Sequence, residues 1–116
     1  MVDIISKENC VKRVEKPWGY EIIIADNELY TGKMLCINEG CRTSLQFHKE
    51  KDETFYISSG KVEVEIGDTK VTPLCNETIR IRPNVVHRIT AIESSVIFEV
   101  STPHKGTVRL EDDYGR

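Results

Sequence analysis

The stretch K61-VEVEIGDTKVTPL-74 alternates apolar and polar residues, and that period of two is the strongest constraint on the fold. Successive side chains of a strand point to opposite faces, so Val62, Val64 and Ile66 face one way and Glu63 and Glu65 the other. Gly67-Asp68 then supplies hairpin turn chemistry before the next strand. Further strands are predicted over Tyr20–Ala25, Tyr30–Ile37, Thr43–Phe47, Glu53–Ser58, Glu77–Arg82, His87–Ile92 and Val96–Ser101, punctuated by Gly, Pro, Asn and Asp. No window sustains the i, i+3, i+4, i+7 stripe of an amphipathic helix. The chain is therefore all-β. Because each strand has one apolar face to cover, the strands should close into a sandwich or small barrel.

At 116 residues the chain is expected to be a single domain, 1–116. Residues 1–15 read as an N-terminal extension or edge segment, and 103–116 as a C-terminal tail. In that tail Val108 and Leu110 alternate with Arg109 and predict a last short strand. A composition of 39% apolar and 30% charged residues with net charge −3 is that of a globular protein, and it calls for no nucleic acid and no membrane partner. The longest apolar runs fall far short of the roughly 20 residues a bilayer requires, and the first ten lack a signal-peptide core, so a cytoplasmic location is expected. Cys10, Cys36, Cys41 and Cys75 form no C-x-x-C pair, which favours reduced thiols over a zinc finger or a disulfide framework.

The chemistry concentrates in S44-LQFHKEKDE-53. In an extended chain Arg42, Ser44, Gln46 and His48 share a face, opposite Cys41, Thr43, Leu45 and Phe47. After a polar K49-EKD-52 turn, Glu53, Phe55 and Ile57 share one face of the returning strand. R82-PNVVH-87 places His87 at the start of a later strand. Two imidazoles, one carboxylate and one amide oxygen, from His48, His87, Glu53 and Gln46, make a donor set for one divalent metal ion. Zinc, manganese, iron and nickel all suit such donors. Polar groups aimed into an apolar barrel cost about 1–3 kcal/mol each unless partnered, which argues that they have a shared purpose. His104 reads as an ordinary histidine, K49-EKD-52 as a solvated charged turn, Arg80 and Arg88 as surface ion-pair residues, and Trp18 as a packing anchor.

The spacing G40-CRTSL-Q46-F-H48-KEKD-E53-TFYISS-G60 resembles the first cupin motif, and R82-PNVV-H87 resembles the second, with Asn84 in place of the usual turn glycine and Ala91 in place of the closing asparagine. Over nearly the whole chain from Lys16, K16-PWGYE-21, S44-LQFH-48, I57-SSG-60 and V108-RLEDDYGR-116 are similar to the isomerase domain of type II phosphomannose isomerases. That domain is usually the C-terminal part of a chain that also carries a mannose-1-phosphate guanylyltransferase. The resemblance implies an all-β, single-domain cupin jelly-roll barrel with Gln46, His48, Glu53 and His87 as metal ligands. Where the family usually continues with histidines and an arginine, this chain has Lys49-Glu50-Lys51-Asp52.

The function implied is metal-dependent aldose–ketose isomerisation of a sugar or sugar phosphate, mannose-6-phosphate isomerase-like. Arg42, Ser44, Phe55, Arg109 and Arg116 are the candidates for substrate contact, and no residue is assigned as general base. Two other classes share the donor set. One is a non-catalytic sugar or small-molecule-binding module, and the other is an Fe(II) oxygenase built on two histidines and a carboxylate. Exposed strand edges in an open jelly roll favour pairing across a two-fold axis, so a homodimer is expected.

Overall fold

The computed structural model describes residues 12–104 and 106–115. Among these the chain forms strands and no helix: β1 (Lys12–Lys16), β2 (Gly19–Asp26), β3 (Thr31–Ile37), β4 (Leu45–Phe47), β5 (Glu53–Ser59), β6 (Val62–Ile66), β7 (Thr69–Val71), β8 (Thr78–Ile81), β9 (His87–Ala91), β10 (Ser95–Ser101) and β11 (Val108–Glu111). They make a six-stranded sheet in the order β1-β2-β3-β10-β5-β8 and a five-stranded sheet in the order β11-β4-β9-β6-β7. All pairings are antiparallel. The N-terminal segment thus does carry an edge strand, β1, and the tail folds back as β11 against β4.

Alternation explains the core. In β5 Glu53, Phe55 and Ile57 are buried while Tyr56 is exposed, and in β6 Val62 and Val64 are fully buried while Glu63 and Glu65 are not. Leu35, Ile37, Phe55, Ile57, Ile81 and Ile97 from the larger sheet meet Val62, Val64, Ile89 and Ala91 from the smaller one. Fully burying a Val, Leu, Ile or Phe contributes about 1.5–3 kcal/mol, so this shared core is what holds the two sheets together. Two tight turns depend on unusual backbone. Asn84 sits at φ 67° in the turn before β9, a left-handed conformation that Asn tolerates. Gly60 sits at φ 88°, and a Cβ there would run into the Ser94 carbonyl and the Ser95 side chain. Cys36 and Cys41 are half-buried free thiols and Cys75 an exposed one; Cys10 lies outside the described residues.

One strand differs from expectation. Thr43–Phe47 is not continuous, since β4 begins only at Leu45. Arg42 bridges to Thr90 and Gln46 pairs with His87. Four steps on one side therefore match three on the other. The extra residue interrupts the ladder, as a bulge does, and inverts the facing of everything before it.

Candidate metal centre

Three strands converge at one end of the barrel to build the site. Glu53 opens β5, His87 opens β9, and His48 follows directly after β4. Each is at least 97% buried. One ligating atom from each of His48, Glu53 and His87 lies within 4.8 Å of the others. The rings of His48 and His87 are 5.4 Å apart, and the Phe55 ring is 6.2 Å from that of His87.

Outer contacts set the tautomers. His87 Nδ1 is 2.9 Å from the Val85 carbonyl and His48 Nδ1 is 3.2 Å from the Gly106 carbonyl. A carbonyl only accepts, so in both rings Nδ1–H donates and Nε2 presents a lone pair to the centre. Burial lowers the His48 pKa, which favours this neutral form. His48 Nε2, His87 Nε2 and Glu53 Oε1 have no hydrogen-bond donor, although His87 Nε2 approaches Glu53 Oε1 to 3.0 Å. Glu53 Oε2 is held by the Lys51 ammonium, but the two Nε2 lone pairs and Glu53 Oε1 are buried acceptors facing one another with no donor between them, which would be costly in a merely structural cluster. Two imidazole nitrogens and a carboxylate are donors for a divalent cation, so this set fits one.

Gln46 lines the same cavity and is the cross-strand partner of His87. The Ser44 hydroxyl, 99% buried, donates to Gln46 Oε1 at 2.8 Å. Ser44 thus orients Gln46 instead of facing the cavity, and Thr43, expected on the opposite face, lines the cavity in its place. Arg42 is also turned away, and its guanidinium grips the Asp113 carboxylate at 2.6 and 2.7 Å. The irregular step before β4 causes both corrections. Arg109, paired with Gln46 through β11, and Phe55 both line the cavity. Arg116 lies outside the described residues.

The K49-EKD-52 turn is not simply solvated. Lys51 is 98% buried, with Nζ 2.8 Å from both Glu53 Oε2 and Glu99 Oε2 and hydrogen-bonded to His104 Nδ1 at 3.1 Å. Burial works against the ammonium, but Glu99 and Glu53 outweigh it and raise the Lys51 pKa. Burial alone would raise the Glu53 carboxyl, yet the Lys51 ammonium 2.8 Å from it holds it below the ordinary glutamate range. Burial and the Lys51 ammonium push His104 down to about 4, so it is neutral at pH 7. His104 lies edge-on to His48, with ring centroids 5.6 Å apart. Sequence parity missed Lys51, Glu99 and His104, because the contacts that make them part of the site come from separate strands and the tail. Arg88 is a further correction. It is 98% buried, with Nε donating to the Thr43 carbonyl and a terminal nitrogen to the Glu111 carbonyl, which ties β9 to the segment before β4 and to β11. Arg80 does pair at the surface, with Asp52.

The cavity in front of these residues has a volume of about 250 Å³, and its wall carries Lys16, Glu21 and Lys33 from the larger sheet. Trp18 is buried in the core and also lines it.

The family described as mannose-6-phosphate isomerase C-terminal matches residues 5–116. The xanthan biosynthesis protein XanB of Xanthomonas campestris pv. campestris (strain B100) is 30% identical over 111 residues, covering 90% of this chain and 24% of XanB. The alginate biosynthesis protein AlgA of Pseudomonas aeruginosa is 28% identical over 110 residues, covering 89% of this chain and 23% of AlgA. The chain therefore spans about a quarter of the length of these relatives. Among solved structures, an RmlC-like cupin from Shewanella frigidimarina superposes with a TM-score of 0.78 at 11% identity, over 90% of this chain and 94% of that one. KdgF from Halomonas sp. gives 0.75 at 20% identity, over 87% and 94%. At such low identity these two likenesses establish the cupin fold alone. The match along almost the entire chain establishes the family: this chain belongs to the mannose-6-phosphate isomerase C-terminal family.

Proposed function

We propose that this domain is a metal-dependent aldose–ketose isomerase acting on a sugar phosphate of the mannose 6-phosphate type. The observation that carries the reading is the convergence of the His48 and His87 Nε2 atoms and a Glu53 carboxylate oxygen at a polar cavity, in a chain of this family. His48, Glu53 and His87 would hold the ion, with Gln46 as a fourth donor kept in orientation by Ser44. A divalent ion held by these residues would supply Lewis-acid polarisation of substrate oxygens. Phe55 walls off one side of the centre from water, and Arg109 in the cavity lining offers a fork for substrate oxygens. His104, neutral and accepting from Lys51 at Nδ1, carries its proton on Nε2 and would donate it to a substrate hydroxyl. Incubation with mannose 6-phosphate in D₂O should place deuterium at C2, read by NMR. Absence of exchange with zinc, manganese, iron and nickel each supplied would refute the reading.

Two histidines and one carboxylate also make the facial set of Fe(II) oxygenases, which is the second reading. Oxygen uptake by the Fe(II)-loaded protein, with no deuterium exchange, would favour it. A cytoplasmic homodimer belongs to the same proposal. It is supported by the edges of the larger sheet at β1 and β8 and by Ile24, Tyr30 and Val100, apolar and exposed on one groove of that sheet.

A further inference from the structure

The cavity wall formed by the larger sheet carries a second cluster that the metal centre does not use. Glu21 on β2 is 92% buried, and its Oε1 faces two ammonium groups: Lys16 Nζ at 3.8 Å and Lys33 Nζ at 3.7 Å. Both distances exceed the 2.7–3.2 Å of an N–H···O hydrogen bond, so the three groups meet as charges and leave their donors uncommitted. The Lys16 and Lys33 side chains are only 23% and 12% exposed, so little water reaches them. Among the described residues neither ammonium donates a hydrogen bond.

Two cations on one carboxylate leave a positive charge of one. The neighbouring acid, Glu99, the cross-strand partner of Lys33, faces away from this pair to Lys51 at 2.8 Å, which it shares with Glu53. The cavity as a whole repeats this imbalance. Lys16, Lys33, Lys51 and Arg109 line it against Glu21, Glu99 and, behind Lys51, Glu53, an excess of one positive charge although the chain's net charge is −3. A partly enclosed wall of one sign attracts ligands of the other against the overall charge. Compact ammonium groups with free donors recognise a compact oxyanion, either a phosphate ester or a carboxylate.

We propose that Lys16 and Lys33, held in place by Glu21, form an anion subsite that takes the phosphate or carboxylate end of a small polyhydroxylated ligand whose other end faces His48 and His87. The subsite rests on reading the cavity as a sugar-phosphate site, but it makes a claim about binding that is separate from turnover. It also replaces the substrate contact expected of Arg42, which Asp113 occupies on the outside.

The test is an amide-detected NMR titration of the full chain, as purified, with inorganic phosphate and in parallel with acetate. Saturable phosphate shifts are expected at the amides around Lys16 and Lys33. Lys16→Met and Lys33→Met should each weaken phosphate binding at least fivefold, while Lys33→Arg should stay within about twofold of the parent. Thermal melts confirm folding, and if Lys33→Met does not fold, Lys16→Met and Lys33→Arg decide the matter alone. Stronger lysine-dependent binding of phosphate than of acetate identifies a phosphate ester as the ligand, and the reverse identifies a carboxylate. Absence of saturable binding of either anion, or equal affinity in parent and Met variants, overturns the subsite. Deuterium exchange at C2 with unaltered anion affinity in the Met variants would remove the subsite and keep the isomerase. Lysine-dependent anion binding without exchange would do the opposite.

Discussion

At the scale of single residues Lys51 decides how many buried charges the site can hold. Its ammonium lies between Glu53 and Glu99, so removing it leaves two carboxylates buried without a cation. Breaking a buried pair in this way costs about 3–5 kcal/mol, and Lys51→Met should lose that much in urea unfolding. Adding Glu99→Gln should recover part of the loss, because one of the orphaned charges is then gone; no recovery would show that the two residues are not coupled. The metal donors make a separate prediction. His48→Ala, His87→Ala and Glu53→Gln should each lower bound metal below one-tenth of the parent by elemental analysis. Ser44→Ala, which frees Gln46 to rotate, should weaken affinity about 10–100-fold, the usual effect of losing an outer contact to a donor. Metal content that is indifferent to all four changes would remove the centre.

At the scale of elements the C-terminal strand β11 is fastened at several points. It pairs with β4, the Arg88 guanidinium reaches the Glu111 carbonyl, and Arg42 holds Asp113. Hydrogen bonding from Arg42 lowers the Asp113 pKa below the ordinary aspartate value. A carboxyl with a depressed folded-state pKa contributes stability that is complete above the unfolded value, near 3.9, and is lost as pH falls through the lower folded value. Amide exchange in β11, corrected for its intrinsic rate, should therefore rise on acidification below about pH 4. Asp113→Asn should show raised exchange already at neutral pH and no further step in acid. Because the tail's Gly106 carbonyl orients His48, the same variant tests whether a loosened tail weakens metal binding. In β10, Ile97 is fully buried between the sheets, so Ile97→Ala should cost about 2–5 kcal/mol of unfolding free energy by denaturant titration.

At the scale of the whole molecule the exposed apolar residues of the larger sheet, Ile24, Tyr30 and Val100, surround one groove. A homodimer that covers them should give twice the chain mass in light scattering, and Ile24→Lys with Val100→Lys should return it to the monomer mass without lowering the melting temperature. Parent protein that scatters as a monomer refutes the dimer.

Much of this architecture was legible in the sequence because a strand writes its sidedness into alternate residues. The period of two marked the strands and the buried faces of β5 and β6, and His48, Glu53 and His87 were named from spacing and parity. Asn84 was recognisable as a turn residue because few side chains accept a left-handed backbone. Parity holds only while the ladder is regular, however, and the extra residue between Arg42 and Gln46 sent Arg42 to the surface and Thr43 to the cavity. Sequence likewise carries no record of which strands become neighbours. Lys33 sits opposite Glu99, and Lys51 between Glu53 and Glu99, only because β10 lies between β3 and β5 in the folded sheet. Local alternation thus determined the strands and, with turn chemistry, the candidate donors, whereas the charges that surround them were decided by tertiary pairing, since electrostatic energy depends on distances that only the closed barrel defines.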